Sequence, residues 1–506
     1  MTSSQICILV VIFLYLAFVV YLGIRFSKTS KTTEDYYLGG RKLGPLVTAM
    51  SAEASDMSSW LLLGIPGLAY ASGFADPFWT SFGLAVGTYL NWLIVAKKLR
   101  RYSQINGSAT IPAFFSNRFG DDKNILSLIS AIVIIVFFVP YTASGFSACG
   151  KLFNSLFGVD YIKGMIIFAL VIIVYTALGG FLAASTSDLI QSVIMTIALV
   201  TVLFYGASQA GGWGAVFDNA KNLSGYLEFS SMHVLATGGS SPYSLLTKIS
   251  TLAWGLGYFG MPHILLRFMA IEKEEKLTLS RRIATVWVVV AMFSAIIIGF
   301  VARAMAANGA IESLDDPETA IVKISALLSS HGIFTACVAG LILAGILAAT
   351  MSTADSQLLA AASSASDDIG KKILFKNMDN RQSMLVARIT VVVMSVIALF
   401  IARDQNSSVF QIVSFAWAGF GAAFGPLMLC ALFWKRTNKY GALAGMISGG
   451  VMIFVWKFLV RPLGGVLDIY ELLPSFFISL IFIVIVSLLT PAPTGKVIED
   501  FEKASK

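Results

Sequence analysis

Residues 53–67 read EASDMSSWLLLGIPG and place two carboxylates and a Gly-Ile-Pro-Gly run inside an otherwise apolar segment, 47–75. Proline removes a backbone hydrogen-bond donor and glycine tolerates open geometry, so a helix through this segment can break in mid-membrane. A second segment, 246–270, has the same character, with Gly255, Gly257, Gly260 and Pro262. Unwound backbone at membrane depth is tolerated only where it is buried in protein or lines a cavity. The two segments therefore predict a cavity within the membrane.

The composition predicts that most of the chain lies in a membrane. Of its 506 residues, 57% are hydrophobic and 13% are charged, whereas about 25% of a soluble domain is charged. This excludes a water-soluble enzyme, a disordered protein and a secreted disulfide scaffold. A membrane-spanning helix needs about 20 mainly apolar residues. Such runs predict an all-α polytopic membrane protein, a single integral membrane domain over 1–506, with thirteen helices near 5–25, 47–75, 77–96, 124–149, 160–183, 188–209, 246–270, 283–305, 330–356, 384–402, 407–433, 441–461 and 472–490.

The basic residues predict the orientation of these helices. With the N-terminus outside, the cytoplasmic segments hold 27 of the 36 Lys and Arg residues. Cytoplasmic loops of membrane proteins carry an excess of Lys and Arg. We therefore expect the N-terminus outside, the C-terminus in the cytoplasm, and no nucleic-acid partner despite the net charge of +8.

The two interrupted segments occupy matching places in this topology. Helix 2 begins inside and helix 7 begins outside, five helices later, so helices 2–6 (47–209) and 7–11 (246–433) have opposite topology. Inverted repeats with paired interrupted helices are typical of secondary transporters. Residues 441–506 would then form accessory helices and a cytoplasmic tail. The alternative is that glycine and proline are simply common in membrane helices.

Neutral oxygens in helix 9 indicate a cation site. Helical side chains lean toward the N-terminus, so the hydroxyls of Ser352 and Thr353 lie over the Ala349 carbonyl. Carbonyls of helix 2 near Ala54 and Met57 could complete a cage of about five uncharged oxygens, which suits a hard monovalent cation. The alternative is that both hydroxyls bond back to their own helix merely to satisfy themselves.

Charged and aromatic residues beside the breaks also need an explanation. A carboxylate near the bilayer centre costs roughly 2.5–3.5 kcal/mol, so Glu53 and Asp56 need donors, cations or water, or else lie at the membrane interface. Trp254 and Tyr258 share one face of helix 7, and Tyr141 is a further aromatic candidate, although aromatic residues usually pack or anchor at interfaces. The GxGxxG run at 255–260 lacks the strand that a dinucleotide site requires, and no catalytic motif is present. We therefore expect a protein that is not an enzyme.

Several motifs resemble those of the sodium:solute symporter family, and within it the bacterial sodium/proline symporters. The resemblance extends from Tyr37 to Leu488, and its most specific runs are ASDMS at 54–58, WGLGYFG at 254–260, PHIL at 262–265, MST at 351–353, WAGFGAAFGP at 417–426 and GALAGM at 441–446. It implies a leucine-transporter-like core of two inverted five-helix repeats plus flanking helices.

The resemblance also implies roles for particular residues. The family's sodium site falls on the carbonyls of Ala54, Met57 and Ala349 and the hydroxyls of Ser352 and Thr353. Ion coupling falls on Asp56, Ser58 and Asp188, and the contacts to proline on Tyr141, Trp254, Tyr258 and Pro262. Ser59 departs from the glycine that close proline symporters often have, which bears on substrate preference.

The predicted function is sodium-coupled uptake of L-proline by alternating access. Sodium would be co-transported, with no organic cofactor, in a monomer surrounded by lipid in the plasma membrane of a bacterium. Three alternatives remain at this point. The same fold could carry another solute, such as pantothenate, a sugar, sialic acid or another carboxylate; protons could replace sodium; or the protein could be a channel or a transport-like sensor.

Overall fold

The computed structural model describes residues 2–27, 37–375 and 378–505, and these are almost entirely helical. The first half contains α1 (Ser3–Ser27), α2 (Pro45–Ser59, a π-helical turn Trp60–Gly64, then Ile65–Ser72), α3 (Ala75–Leu90, Asn91–Val95 and Ala96–Ile105), α4 (Ile111–Phe119), α5 (Ile125–Phe157), α6 (Tyr161–Gly179), α7 (Phe181–Gln209) and α8 (Trp213–Asn222). The second half contains α9 (Leu245–Leu252, a 3₁₀ segment Ala253–Gly260, then Pro262–Ala270), α10 (Leu277–Ala307), α11 (Ala320–Ser329), α12 (Ile333–Ser363, continued by Ser364–Leu374), α13 (Asn380–Ile401), α14 (Val409–Phe433), α15 (Lys439–Val455, continued by Trp456–Val460), α16 (Leu472–Leu489) and α17 (Lys496–Ser505).

Ten helices among the described residues are long and apolar enough to cross a membrane. They are Ser3–Arg25, Ala75–Ile105, Ile125–Phe157, Phe181–Gln209, Glu274–Ala307, Ile333–Ile373, Arg381–Ile401, Val409–Phe433, Lys439–Leu463 and Leu472–Leu489. Helical structure is also present at the three remaining predicted spans, in α2, α6 and α9. The polytopic all-α class is therefore confirmed, whereas the full count of thirteen spans and their orientation stay predictions.

Helix α12 lies at the centre of the bundle. It packs against α1, α2, α5 and α7, and its side chains from Ile342 to Ser363 are all buried. The 3₁₀ segment of α9 packs instead against α3 and α14. The two interrupted helices are thus held by different neighbours, and their breaks face the interior.

Glycines let α9 approach α3 closely. A side-chain carbon added at Gly255 would overlap the Gly83 carbonyl oxygen, and one added at Gly87 would overlap the Gly255 carbonyl oxygen. These contacts need residues without a side chain on both helices. Glycines that suggested unwinding in the sequence therefore also serve packing.

The loop between α10 and α11 links the ends of α5 and α14. Glu318, in the short 3₁₀ turn Pro317–Thr319, is buried and pairs with Lys151 of α5 at 2.7 Å. Its carboxylate oxygens also accept the backbone N–H groups of Val409 and Phe410, both at 3.1 Å, at the start of α14. A carboxylate is favourable there because the N-terminus of a helix carries partial positive charge. The loop is thereby fixed over the ends of these two helices.

Two strands among the described residues form a small antiparallel hairpin between α8 and α9. Strand β1 (Ser231–Val234) pairs with β2 (Gly239–Pro242) in the register Ser231 to Pro242. Just before it, Tyr226 donates a hydrogen bond to the Ala69 carbonyl of α2 at 2.8 Å. The hairpin region is therefore anchored to the last segment of α2, Ile65–Ser72.

Candidate functional site

The break in α2 lies at Ser58, earlier than the Gly64–Gly67 run at which the sequence places it. Ser58 has φ +42° and ψ −171°, while Gly64 and Ile65 keep helical angles. A non-glycine residue with positive φ is uncommon and is found mainly at functional or strained places. The Ser58 hydroxyl partly compensates by accepting the Trp60 N–H at 3.0 Å. Gly67 serves packing, because a side-chain carbon there would lie 2.9 Å from the Glu318 backbone nitrogen.

Four of the five predicted sodium-ligand oxygens meet where α2 contacts α12. The Ser352 hydroxyl donates to the Ala54 carbonyl at 2.8 Å and to the Ala349 carbonyl at 3.1 Å. The Thr353 hydroxyl donates to the same Ala349 carbonyl at 3.1 Å. All four residues are buried. Two carbonyls and two hydroxyls from distant parts of the chain therefore form one uncharged oxygen cluster.

Met57 lies next to this cluster along α2, immediately before the break. Its carbonyl accepts the Trp60 N–H, as does that of Ser58. A carbonyl oxygen has two lone pairs, so one remains for a further partner. Among the described residues there is no group of three or more His, Cys, Asp or Glu side chains that could hold a metal. The chemistry of the cluster therefore suits a hard alkali cation and does not suit a soft transition metal.

Asp56 connects the oxygen cluster to two of the predicted substrate residues. Its side-chain Oδ2 accepts a hydrogen bond from the Tyr258 hydroxyl at 2.5 Å, and its backbone carbonyl accepts one from Tyr141 at 3.1 Å. Asp56 itself is 6% exposed, so its carboxylate lies in the protein interior and not at an interface. The structure thus brings Asp56, Tyr141 and Tyr258 together, one residue from Met57.

A small cavity adjoins Asp56. It has about 10 Å³ of space, roughly what one water molecule requires. The residues that line it are Asp56, Met57, Trp60, Leu84, Tyr141, Trp254, Val413 and Trp417. A solute the size of an amino acid can enter only if some of these side chains move.

Three of the eight residues that line this cavity are tryptophans. The Trp60 and Trp254 rings lie 5.5 Å apart, and the Trp417 ring lies edge-on to Tyr258 at 5.0 Å. The Trp417 indole N–H donates to the Trp254 carbonyl at 2.8 Å. Trp254 lies in the 3₁₀ segment that interrupts α9. The arrangement joins α14 directly to the break.

The interruption of α9 is where the sequence predicts it. Residues Ala253–Gly260 form a 3₁₀ segment, Met261 is extended, and Pro262 starts the next α-helix. Proline is favoured at this first position because its missing N–H would have no partner there. Pro262 is buried, but it is not among the residues that line the small cavity. It lies at the break, a few residues after Trp254 and Tyr258. Of the four predicted substrate residues, Tyr141 and Trp254 line the cavity, whereas Tyr258 and Pro262 do not.

Asp188 is not part of this cluster and instead forms a buried ion pair. Its Oδ2 contacts Arg267 at 3.1 Å and accepts the Ser51 hydroxyl at 2.6 Å. Arg267 also donates to Ser356 of α12. The pair joins α2, α7, α9 and α12 on the side of the oxygen cluster that is predicted to face the cytoplasm. The ion pair therefore links these four helices on one side of the cluster.

Glu53 and Ser59, on either side of Asp56, lie in the protein interior. The Oε1 atom of Glu53 accepts the Trp92 indole N–H at 2.9 Å and the Thr88 hydroxyl at 3.2 Å, both from α3. These are the donors that a carboxylate at this depth requires. The Ser59 hydroxyl has no hydrogen-bond partner among the described residues. Glu53 thus anchors α2 to α3.

Two residues of the cavity wall lie in sequence runs already described, but the sequence does not predict them as part of the site. Trp60 ends the EASDMSSW run, and Trp417 opens the WAGFGAAFGP run, both of which drew attention for other reasons. Leu84 and Val413 carry no signal that separates them from other apolar residues of a membrane helix. Only the packing of α3 and α14 against α9 shows that they face the cavity.

Comparison with known proteins supports the fold and the family. The chain matches the Sodium:solute symporter family over residues 36–449. It is 39% identical over 501 residues to a sodium/proline symporter of Staphylococcus aureus, covering 98% of this chain and 95% of the relative. A sodium/proline symporter of the USA300 strain is 39% identical over 500 residues, covering 97% and 94%.

Solved structures extend the comparison to the fold. A substrate-bound, outward-open Na⁺-coupled sialic acid symporter matches with a TM-score of 0.79 at 18% identity, covering 96% of this chain and 99% of the other. A nucleobase-cation-symport-1 family transporter, closed with bromovinylhydantoin bound, matches with a TM-score of 0.57 at 14% identity, covering 92% and 98%. The fold is therefore the leucine-transporter-like fold that the sequence predicts. With the match to the family across most of its length and relatives at 39% identity over nearly all of it, the chain belongs to the sodium:solute symporter family.

Proposed function

We propose that this protein transports L-proline into the cell together with sodium by alternating access. The observation that carries the proposal is the contact between Ser352 and Ala54, which pools uncharged oxygens from two helices next to an aromatic cavity. The Staphylococcus aureus relatives named sodium/proline symporters support the choice of ion and solute. Residues 47–209 and 246–433, the predicted helices 2–6 and 7–11, would act as the two inverted repeats.

Sodium would bind between α2 and α12. The carbonyls of Ala54, Met57 and Ala349 and the hydroxyls of Ser352 and Thr353 would be its ligands. Both hydroxyls donate to carbonyls in this structure, so their protons must turn away when the ion takes those lone pairs. The ion would then replace the direct hydrogen bond between the two helices, from Ser352 to Ala54, and its charge would make the link between them stronger.

Proline would bind in an enlarged form of the small cavity. Its ring would pack on Trp60 and Trp254, and its secondary ammonium would lie against the aromatic faces, which attract cations. Its carboxylate would meet backbone N–H groups after the break in α2, at the positive end of a half-helix. Asp56 would orient Tyr258 through their hydrogen bond, which links the ion cluster to the solute.

Access would come from the external side. A polar cavity of 780 Å³, reaching Arg461 and Glu471, ends at Trp254, and Trp254 also lines the small cavity. Movement of this ring would connect the two spaces. On the opposite side, the Asp188–Arg267 pair would have to separate for release into the cytoplasm. We further propose that the protein works as a monomer in the plasma membrane, with its N-terminus outside.

The electrical driving force is sufficient for accumulation. One charge crossing 100 mV releases about 2.3 kcal/mol. That energy corresponds to a solute gradient of roughly 50-fold, before any sodium gradient is counted. One sodium per proline would therefore be enough for useful uptake.

Uptake of radiolabelled L-proline into proteoliposomes tests this function. We expect uptake when sodium is imposed outside and little when potassium or a proton gradient replaces it. Excess unlabelled proline should abolish uptake, while pantothenate, glucose and sialic acid should leave it unchanged. Uptake driven equally well by protons, or competition by one of those other solutes, would contradict the proposal.

A further inference from the structure

A groove on the outer surface between α3 and α10 has no role in the transport cycle proposed above. Its volume is 440 Å³ and nearly all of its exposed wall is apolar. The main lining residues are Phe78, Phe82, Val86, Tyr89, Val289 and Phe293. Both helices are among those long and apolar enough to cross a membrane, so the groove opens toward lipid and not toward water.

The length of the groove fits one acyl chain. Its lining residues on α3 run from Phe78 to Leu90, which is about 18 Å at 1.5 Å per helical residue. One leaflet of the hydrocarbon core is about 15 Å thick, half of the total. Phe82 and Phe293 are 48% and 58% exposed, which leaves their rings available as groove walls. An acyl chain lying in the groove would bury apolar surface on both helices.

One end of the groove is polar and basic. Arg281 lies one helical turn from the lining residue Thr285, and its guanidinium stands 5.3 Å from the centre of the Tyr89 ring. The Arg281 Nε and Thr285 Oγ1 atoms are both buried, and neither has a hydrogen-bond partner among the described residues. Buried polar groups normally have a partner.

We propose that this groove binds an anionic phospholipid. Its acyl chain would lie between α3 and α10, its phosphate would pair with Arg281, and an ester oxygen would accept the Thr285 hydroxyl. The proposal accounts for both unpaired donors and for the apolar groove at the same time. The basic end is also the one predicted to face the cytoplasm, so the lipid would belong to the inner leaflet.

Native mass spectrometry of the purified full-length protein tests the site, with phosphatidylglycerol and phosphatidylcholine as the two probes. We expect retention of one phosphatidylglycerol in preference to phosphatidylcholine. Arg281→Gln should reduce that preference about fivefold, since one arginine near a charged lipid surface contributes about that factor. Arg282→Gln is the matched control, because this neighbouring arginine is exposed and does not contact Tyr89; it should change the preference less than twofold.

The apolar part of the site is tested separately. Val289→Trp should fill the groove and prevent retention of the lipid, whereas Val290→Trp, at an exposed neighbour outside the lining, should not. If Arg281→Gln or Val289→Trp loses its thermal transition, the test uses Thr285→Val instead. This change replaces the Thr285 hydroxyl with a methyl group and should also reduce retention of the lipid. Equal binding of the two lipids, equal losses for Arg281→Gln and Arg282→Gln, or a second copy of the protein covering the groove would overturn the proposal.

Discussion

Replacing Thr353 with valine removes one oxygen from the proposed sodium site with almost no change in side-chain shape. The Thr353 hydroxyl makes a single hydrogen bond, to the Ala349 carbonyl, and that carbonyl also accepts a bond from Ser352. Loss of the hydroxyl therefore leaves no buried group without a partner, and the cost to folding should be small. Its effect should fall on the ion.

The size of that effect follows from the chemistry of the cluster. A polar contact to a charged group contributes about 1.5–3 kcal/mol. A difference of 1.4 kcal/mol is a factor of ten in affinity. Thr353→Val should therefore raise the sodium concentration for half-maximal proline uptake by about 10- to 150-fold.

Initial rates of proline uptake into proteoliposomes, measured over a range of external sodium, provide the assay. Thr353→Ser is the matched control, because it keeps the hydroxyl and loses only a methyl group; its sodium dependence should stay within about threefold of the parent. The reasoning is refuted if Thr353→Val shows the sodium dependence of the parent, or if both variants change alike.

Three further predictions concern the aromatic cavity and the loop that contains Glu318. Tyr258→Phe removes the donor to Asp56 and should raise the KM for proline about tenfold without changing binding of radioactive sodium; equal loss of both would indicate misfolding. Gly257→Ala would drive a methyl group into the Trp417 indole and should abolish uptake although the protein still reaches the membrane, so uptake at half the parental rate or more would show that the ring can move aside. Lys151→Met leaves the buried Glu318 carboxylate without its cation and should cost about 3–5 kcal/mol of stability, so its melting temperature in detergent should fall well below that of the variant Lys163→Met, at an exposed lysine; similar melting temperatures would contradict the role given to this pair.

The oxygen cluster shows what local pattern can predict. The direction of helical side chains places the hydroxyls of Ser352 and Thr353 over the Ala349 carbonyl, and those bonds are present. The sequence also indicates the partner carbonyls on α2, although the predicted break at Gly64–Gly67 lies further along the helix than the observed one at Ser58. Periodicity and side-chain direction are local properties, so they can be read from one segment at a time.

The break in α2 shows where local pattern fails. Glycine and proline suggested Gly64–Gly67, but the positive φ lies at Ser58, a residue with no intrinsic preference for that conformation. The surrounding contacts stabilise it. The Ser58 hydroxyl accepts the Trp60 N–H, and the Tyr141 hydroxyl donates to the carbonyl of Asp56, two residues before Ser58. Backbone strain of this kind depends on tertiary structure.

The cavity wall and the Asp188–Arg267 ion pair could not be predicted, for a related reason. Trp417 reaches the site from α14 and bonds to the backbone of α9, which requires knowledge of how the two helices pack. Asp188 was expected near an ion path, but nothing in the sequence paired it with Arg267. Contacts between residues far apart in sequence carry no periodic signal.

Equilibrium binding of radioactive sodium to the purified protein, without proline, tests the central claim most directly. The account predicts saturable binding to the parent and none, over the same range of concentrations, to the variant Ser352→Ala/Thr353→Val, while Thr285→Val behaves like the parent. Parental binding by the double variant would show that the ion is held elsewhere.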